Sequence, residues 1–336
     1  MSLSIGIVGL PNVGKSTLFN TLTKKGVPAE NYPFCTIDPS VGIVPVPDAR
    51  VETLTEFSKS QKSIPAVIEF VDIAGLVAGA SKGEGLGNKF LANIREVDAI
   101  LHMVRTFQDK DIIHVANRVD PLTDIEVINL ELILADLETV QKRISNITRE
   151  VKRGDKEFVK ENAVLQKVEK VLLDSKMANT LELDEDEKKI LKGMHLLSAK
   201  LVLYGLNVSA ADEGAVDEVV EKVKSKHGAY VKIDPIFETG LDDLIKESYK
   251  LLNLETFFTT GEDETRAWTI KAGSTAPIAG TAIHTDFKDK FIRAEVVAYD
   301  KLLEAGSYAV ARERGWVRTE GKDYIVKDGD IIEFKI

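Results

Sequence analysis

A nine-residue segment near the start of the chain constrains the fold more than any other feature of the sequence. Residues 9–17 read GLPNVGKST and match the phosphate-loop pattern G-x-x-x-x-G-K-[ST]. The apolar run SIGIV precedes them, and a helical pattern, STLFNTLTKK, overlaps their end. Gly9 and Gly14 let a backbone turn closely around phosphate groups. The segment therefore predicts an α/β domain in which a strand, a loop and a helix together hold a nucleotide.

The residues of this loop have separate expected roles toward a nucleoside triphosphate. Lys15 places a positive charge on the β- and γ-phosphates and is a candidate catalytic residue, while the Ser16 hydroxyl would coordinate Mg²⁺. The side-chain amide of Asn12 could also help to place a monovalent cation such as K⁺ near the phosphates. The predicted nucleotide-binding residues of the loop are Asn12, Val13, Gly14, Lys15, Ser16 and Thr17.

Two later segments complete the expected phosphate and metal site. In FVDIAGL, Asp72 ends an apolar strand and is placed to hold Mg²⁺ through water, and Gly75 can offer its amide to a γ-phosphate as a catalytic group. An aspartate that only caps the strand end is the alternative for Asp72. In NYPFCTIDP, Thr36 has the spacing of a loop threonine that completes Mg²⁺ coordination when triphosphate is bound.

The base-binding segment departs from the pattern of guanine-specific proteins. Most GTPases carry Asn-Lys-x-Asp at the end of this strand, whereas here Asn207 is followed by Val208, Ser209 and Ala210. Without the acid, the hydrogen bonds that reject other bases are lost. The Asn207 amide and the backbone around Val208 can still meet an adenine edge, because amide groups suit either base. We therefore predict that ATP binds at least as well as GTP.

The group that positions the attacking water is not given by the usual motif. Many GTPases place a glutamine after Asp-x-x-Gly, but this chain has Leu76. Among the five histidines, His114 lies in a polar segment past the third strand, and its imidazole could orient water. A loop histidine that bonds locally is the alternative. His102 lies within an apolar strand and is expected in the core.

Hydrophobic patterning along the chain predicts three domains. Near-continuous apolar runs at 4–9, 66–72, 99–104 and 201–207 are typical of strands buried on both faces of a mainly parallel sheet. Between the third and fourth runs, apolar residues spaced alternately four and three apart predict a coiled-coil helical hairpin with its tip near 154. A pair of helices that merely covers the sheet is the alternative. The predicted domains are a nucleotide-binding domain at 1–130 and 196–252, the helical insert at 131–195, and an α+β domain at 253–336.

Charge and turn patterns refine the two additional domains. From 142 to 170 the hairpin has nine basic and five acidic residues, although the whole chain has a net charge of −10. A solvated helical face explains this excess, and an RNA-facing tip is the alternative. In the last domain, Lys327-Asp328-Gly329-Asp330 between apolar stretches predicts a β-hairpin.

Composition places limits on the environment of the protein. No apolar run approaches the ~20 residues of a membrane span, and we expect no membrane partner. The start MSLSIGIVG lacks the pattern of a secretory signal, and Cys35 is the only cysteine. We therefore expect a cytoplasmic protein, and a monomer.

Several stretches resemble one known family, the YchF-type Obg-like ATPases of the translation-factor-related P-loop class. The similar stretches are GLPNVGKSTLFN, NYPFCTIDPSVGIV, VDIAGLVAGASKGEGLGNKFL, DPLTDIEVINLELILADLE, NLETFFTTGEDETRAWTI and GKDYIVKDGD. The resemblance implies a nucleotide-binding domain interrupted by a coiled-coil insert, a C-terminal β-grasp domain of the TGS type, ATP hydrolysis and association with ribosomes. Ala210 stands where the family usually has Glu, and AYVKIDPIFETGLDDLIKES is shortened where relatives place a Ser-Ala turn that covers the base.

These observations favour a slow, Mg²⁺-dependent ATP switch whose loops become ordered around the triphosphate and whose partner is the ribosome or ribosomal RNA. Two other classes of function are open at this point. A metabolic P-loop kinase would need an acceptor pocket and usually an arginine-rich lid, neither of which is visible in the sequence. A module that binds nucleotide with negligible hydrolysis fits the presence of Leu76.

Overall fold

The computed structural model describes residues 3–24, 38, 40–73, 86–108, 114, 118–209, 213–225 and 228–336. Its strands are β1 (Ser4–Val8), β2 (Val41–Pro45), β3 (Lys62–Ile64), β4 (Val67–Asp72), β5 (Ala99–Arg105), β6 (Leu201–Asn207), β7 (Ala229–Ile233), β8 (Leu254–Thr260), β9 (Glu264–Lys271), β10 (Arg293–Ala298), β11 (Arg318–Glu320) and β12 (Asp330–Lys335). Its α-helices are α1 (Lys15–Lys24), α2 (Ala49–Ser58), α3 (Leu86–Glu96), α4 (Pro121–Lys152), α5 (Lys156–Leu173), α6 (Glu185–Gly193), α7 (Glu213–Ser225), α8 (Leu241–Leu251), α9 (Ala276–Gly280), α10 (Asp286–Asp289), α11 (Tyr299–Ala305) and α12 (Tyr308–Glu313).

The nucleotide-binding domain is built on a six-stranded sheet in the order β2-β4-β1-β5-β6-β7. β2 runs antiparallel to β4, and the other neighbouring pairs are parallel. All seven residues of β5 are buried, as a central strand covered on both faces requires. The four predicted strands are confirmed, and the carboxyl ends of the parallel strands form one edge of the sheet, where ligands bind in open α/β folds.

The helical insert is an antiparallel hairpin. Pro121 stands in the first turn of α4, and the Asp120 carboxylate accepts a hydrogen bond from the backbone N–H of Thr123, so the helix starts with a proline and a side-chain cap. A tight turn with Gly154 at φ 81° leads into α5. The predicted seam forms the core between the two helices, and its buried members are Ile133, Val140, Ile147, Leu165, Val168 and Leu172.

Part of the basic excess on this hairpin is neutralised within the insert. Arg143 donates two hydrogen bonds to the Glu161 carboxylate, and Lys160 pairs with Asp186 at 2.7 Å. Lys167 pairs with the carboxylate of Glu187 in the first turn of α6. The basic residues closest to the tip, Arg149, Lys152, Arg153 and Lys156, are exposed.

The C-terminal domain is an α+β unit on a second six-stranded sheet, in the order β11-β10-β12-β8-β9-β3. The hairpin predicted around Lys327–Asp330 is wrong. A turn is present there, with Gly329 at φ 87°, but β12 pairs with β10 and β8, and no strand ends directly before the turn. The Asp328 carboxylate instead accepts the backbone N–H of Thr256 at 2.9 Å, so this turn is anchored to β8.

The nucleotide-binding domain supplies the sixth strand of this second sheet. β3 pairs in parallel with β9, from Lys62 opposite Glu264 to Ile64 opposite Arg266. β3 and α2 lie between β2 and β4 in sequence, so a segment flanked by two strands of the first sheet is built into the other domain.

An ion-pair network reinforces this junction. Arg50 on α2 donates to Asp48 at 2.8 Å and to Asp328 at 2.7 Å, and its guanidinium lies 5.0 Å from the centre of the Phe258 ring. The shared core contains Leu54 from the first domain and Phe258 from the second, both fully buried. The sequence did not predict this connection.

Within the described ranges, no helix combines the length and the apolar character needed to cross a bilayer.

Candidate nucleotide-binding site

The phosphate loop follows β1 and requires glycine at two positions. Gly9 has φ 152°, and a Cβ atom there would lie 2.5 Å from the Met103 carbonyl oxygen of β5. Gly14 has φ 96°, and a Cβ atom there would lie 2.4 Å from Asn207 Nδ2. Asn12 adopts the left-handed conformation at φ 62°, which asparagine tolerates better than most residues. The tight path of the loop between β5 and β6 therefore depends on the two glycines.

Lys15 begins helix α1 and is held inside this loop. Its side chain is 7% exposed, and Nζ donates a hydrogen bond to the Leu10 carbonyl oxygen at 2.8 Å. Burial lowers the pKa of Lys15, and the nearby negative charge of Asp72 partly offsets this. The ammonium group thus lies at the N-terminus of a helix, where the helix dipole also favours an anion.

Ser16 and Asp72 meet at the same edge of the sheet. Ser16 Oγ donates to Asp72 Oδ2 at 3.5 Å, although the residues are 56 positions apart in sequence. A hydroxyl and a carboxylate are oxygen ligands that suit Mg²⁺. Within the described ranges, no three His, Cys, Asp or Glu side chains cluster in a way that could hold a metal ion. These residues therefore fit an Mg²⁺ that keeps waters and takes further oxygens from a phosphate.

Thr36 and Gly75, predicted for the metal and for the γ-phosphate, lie outside the described residues, as do Leu76 and Ala210. Thr17 is described and exposed, and its backbone carbonyl accepts a hydrogen bond from Thr21 Oγ1 at 2.9 Å.

Asn207 connects β6 with the phosphate loop. It is 6% exposed, and Nδ2 donates to the Val13 carbonyl oxygen at 3.0 Å. The backbone carbonyl oxygen of Asn207 accepts hydrogen bonds from the backbone N–H and the hydroxyl of Thr106, at 3.0 and 2.7 Å. Asn207 therefore clamps the loop against β6, a role that the sequence did not reveal.

Val208 is adjacent, but its backbone N–H is not available to a base. It donates to the Ile233 carbonyl oxygen of β7 at 2.9 Å. The Val208 N–H is therefore committed to pairing with β7, and contact of a base with the backbone around Val208 stays a prediction.

His102 lies in β5 beside the phosphate loop. It is 1% exposed, as the sequence predicted for a core residue, and its ring centre lies 5.5 Å from that of Tyr204. Burial, and secondarily the charge of Lys15, lowers the pKa of His102 to about 3. His102 is thus neutral at physiological pH.

His114 is buried in a local pair. Its Nε2 lies 2.9 Å from Asp124 Oδ2 in the first turn of α4, and both side chains are less than a tenth exposed. Burial raises the pKa of Asp124, and the hydrogen bond from His114 opposes that rise. This is the local bonding weighed as the alternative for His114, and a role in orienting water stays a prediction.

The turn at 235–238, after β7, is a feature of this edge that the sequence did not single out. Thr21 Oγ1 on α1 donates to the Pro235 carbonyl oxygen at 3.2 Å, which ties the turn to the phosphate-loop helix. Ile236 and Phe237 are 74% and 77% exposed. The sequence signal that could have identified this turn is the apolar pair Ile236-Phe237, which stands between turn-forming residues in DPIFETG.

Comparison with family models matches two parts of the chain. A model described as "50S ribosome-binding GTPase" matches residues 4–134. A second, the YchF-GTPase_C model described as "Protein of unknown function (DUF933)", matches residues 254–336. The first covers the phosphate loop, Asp72 and His114, and the second covers the C-terminal domain.

Individual relatives are similar over their full length. The chain is 50% identical to the "Ribosome-binding ATPase YchF" of Bacillus subtilis, covering 100% of this chain and 99% of that protein. It is 48% identical to the protein of the same name from Haemophilus influenzae, with the same coverage. Among solved structures, the YchF GTPase of Schizosaccharomyces pombe superimposes with a TM-score of 0.89 at 36% identity, covering 99% of this chain and 98% of that one.

Proposed function

The chain belongs to the YchF family, and from this premise we propose that it is a ribosome-binding ATPase that uses Mg²⁺ and changes its ribosome affinity with its nucleotide state. The observation that carries the proposal is the buried Lys15 in a phosphate loop clamped by Asn207. Similarity over the full length to proteins named for ATP hydrolysis and ribosome binding supports both halves of the function.

The chain itself supplies the phosphate-binding groups. Lys15 offers a positive charge whose hydration has already been removed by burial, so a triphosphate that replaces the Leu10 carbonyl as its partner gains a strong charge-assisted interaction. The amides of the loop and the start of α1 add dipoles directed at the same anion. Lys15 is already buried beside the loop before ligand arrives, and such prior positioning of charge favours electrostatic stabilisation.

Ser16 and Asp72 would hold the metal ion, Ser16 directly and Asp72 through water, with Thr36 as the predicted third ligand. Mg²⁺ would neutralise charge on the β- and γ-phosphates and fix their orientation. A role for K⁺ near Asn12 remains part of the proposal, and titrating hydrolysis with K⁺ against Na⁺ tests it.

Water positioning is proposed to involve Gly75 and His114. In the described conformation His114 is turned toward Asp124, so hydrolysis would require this pair to open. Such a gate keeps turnover slow. Single-turnover hydrolysis by a His114→Ala variant should fall at least tenfold, while ATP affinity stays within about twofold. An unchanged rate removes His114 from the mechanism.

The proposed output is altered docking of the helical insert and the C-terminal domain on a ribosome. α2 and β3 lie between the strand that follows Thr36 and the strand that ends in Asp72, and they are joined to the C-terminal sheet. A movement of Thr36 or Asp72 would therefore be transmitted to the C-terminal domain along the connecting backbone and through the pairing of β3 with β9. We further propose that the protein is cytoplasmic and monomeric, and sedimentation analysis of the purified protein tests the monomeric state.

Nucleotide competition and phosphate release test the enzymatic half of the proposal. We expect ATP to compete at least as well as GTP, and phosphate to be released without an added acceptor. Lys15→Met should abolish binding, and Lys24→Met, an exposed lysine at the end of the same helix, is the matched control. A clear GTP preference refutes the base assignment. Phosphate transfer that requires an acceptor would favour a kinase, and intact ATP retained for hours would favour a passive binder.

Co-sedimentation with purified ribosomes tests the other half. The fraction bound should differ between the ATP analogue complex and the ADP complex. Equal binding in both states, with Lys15→Met also unaffected, would refute a nucleotide-controlled switch.

A further inference from the structure

Helix α3 lies between the metal-binding edge of the sheet and the base of the helical insert. It begins at Leu86, fourteen positions after Asp72, the predicted metal residue. It ends at Glu96 and is followed by β5, the central strand of the sheet. The contacts at this end of α3 reach both chain segments that join the insert to the nucleotide-binding domain. These segments are α4 on the outward path and residues 194–200 on the return path.

The return segment is bonded to the end of α3. Lys200, the residue before β6, donates from Nζ to the carbonyl oxygens of Arg95 at 3.0 Å and Val97 at 2.5 Å. The last carbonyls of a helix have no partner within the helix, and a cation there is also favoured by the helix dipole. Partial burial lowers the pKa of Lys200, and the negative charges of Asp98 and Asp136 oppose this. The start of β6 is thus fixed to the end of α3.

The outward helix contacts the same end of α3. Arg95 Nη2 donates to Thr139 Oγ1 on α4 at 3.4 Å. Nearly one turn earlier on α4, the buried Asp136 carboxylate accepts the backbone N–H groups of Leu197 and Ser198 at 2.9 and 2.7 Å. The end of α3, α4 and the return segment therefore form a closed ring of contacts, which we call the α3 ring.

The α3 ring lies at the base of a long projection. From Asp136, α4 continues for sixteen residues to Lys152, about 24 Å at 1.5 Å per residue. Leu91 and Ile94 of α3 belong to the same buried core as Leu132 of α4. Because such cores are close-packed, a shift of α3 requires α4 to adjust. Each degree of tilt at Asp136 moves the tip of the hairpin by about 0.4 Å.

We propose that α3 transmits the nucleotide state to the helical insert through Lys200 and Arg95, so that the hairpin takes different angles in the ATP and ADP complexes. This inference rests on the proposed function and names the contacts by which the phosphate site regulates docking of the insert. A ligand shifts a conformation only through contacts that differ between two states. Among the described elements, α3 is the first to follow Asp72 and the predicted γ-phosphate group Gly75. The route through α2 and β3 leads instead to the C-terminal domain.

Distances between paired spin labels on the full-length protein measure the angle of the hairpin. Cys35→Ser removes the only native cysteine. Lys152→Cys near the tip is then paired with Glu52→Cys on α2 or with Glu221→Cys on α7, and all three positions are exposed. The complex with a non-hydrolysable ATP analogue is compared with the ADP complex. At least one of the two mean distances should differ by at least about 3 Å, which corresponds to a tilt of about 7°.

Substitutions in the α3 ring test the route. The double variant, Arg95→Met with Lys200→Met, should reduce this difference to less than about 1 Å, a tilt of about 2°. Its ribosome co-sedimentation should become equal in the two nucleotide states, while ATP affinity in calorimetry stays within twofold. Arg95→Met alone removes an exposed side chain and should halve the difference, which keeps the test valid if Lys200→Met impairs folding. Arg143→Met, which breaks the pair with Glu161 inside the insert, is the control and should keep the full difference.

The outcomes separate this inference from the proposed function. Equal distances in both complexes of the labelled protein, with ATP binding intact, refute transmission to the insert and leave the ATPase in place. A full difference that persists in the double variant shows that the hairpin moves by another route, and it also refutes the inference. Loss of ATP binding in the double variant would place these residues in the nucleotide site and count equally against it. Failure of the unmodified protein to bind ATP refutes the proposed function and this inference together.

Discussion

Acid should destabilise this protein through His102, a residue buried at the centre of the nucleotide-binding domain. His102 pairs with Val8 of β1 on one side and Tyr204 of β6 on the other. Among the described residues, its Nε2 has no hydrogen-bond partner. A protonated ring at this place would bury an unpaired charge close to Lys15. Lowering the pH therefore perturbs the protein by protonating this ring, and His102→Leu removes the group that would be protonated.

The magnitude follows from the difference between folded and unfolded pKa values. The pKa of His102 is lowered to about 3 in the folded protein, against about 6.5 for an unfolded histidine. Between these values the unfolded chain binds more protons, so the unfolding free energy decreases as pH falls through 6.5. Between pH 7.5 and pH 5.5 this one histidine should lower the free energy of unfolding by about 1.4 kcal/mol in total. The slope approaches about 1.36 kcal/mol per pH unit once the unfolded form is fully protonated.

Urea unfolding followed by circular dichroism at both pH values measures this effect. Between pH 7.5 and pH 5.5 the unfolding free energy of the unmodified protein should fall by about 1.4 kcal/mol more than that of His102→Leu. The contributions of the carboxylates are common to both proteins and cancel in this difference. His284→Leu is the control, because the side chain of His284 is 62% exposed and lies beside Asp286. The control should behave like the unmodified protein. Parallel pH dependences for the unmodified protein and His102→Leu would refute the assignment of a neutral buried histidine.

Three further predictions concern contacts that the structure places at junctions. Arg50→Met keeps the aliphatic stem but removes the ion pairs to Asp48 and Asp328, and should destabilise the C-terminal domain by about 1–3 kcal/mol, read from tryptophan fluorescence during thermal unfolding; an unchanged midpoint would show that the junction does not depend on these pairs. Asp136→Asn replaces a fully buried acceptor of two backbone N–H groups and the Ser198 hydroxyl, and should cost about 2–4 kcal/mol in urea unfolding; a loss below 0.5 kcal/mol would contradict this. Asn207→Ala removes the hydrogen bond to the phosphate loop and should weaken ATP binding about fivefold in calorimetry, and wild-type affinity would show that the clamp is not needed.

The phosphate loop was predictable from sequence because its pattern is local. Lys15 and Ser16 are fixed by the spacing of one loop, and Asp72 by its place at the end of an apolar strand. The structure adds that Ser16 and Asp72 meet at 3.5 Å, which follows from β1 and β4 being parallel neighbours in the sheet. The hairpin seam was equally readable, since periodicity within one helix reports the face that becomes buried.

The hydrogen-bond partners in the candidate base site were less predictable, because they are assigned by pairing between distant segments. The sequence offers Asn207 and Val208 as free amides. Sheet pairing gives the Val208 N–H to Ile233, and loop packing gives Asn207 Nδ2 to Val13. For His114 the sequence left open a water-orienting role and a local bond, and the structure shows a bond to Asp124, ten residues later.

The sequence by itself determined the phosphate loop, the buried strands and the helical hairpin, since each rests on residues within a few turns or a few strand positions of one another. Only the tertiary structure decided that β3 completes the C-terminal sheet, that the turn at Asp328 anchors β8 and Arg50, and that Ile236 and Phe237 face solvent beside the phosphate-loop helix. The physical reason is the same in each case. A backbone hydrogen bond or an ion pair carries no sequence signature of its distant partner, and the partner is chosen only when the sheets and helices pack together.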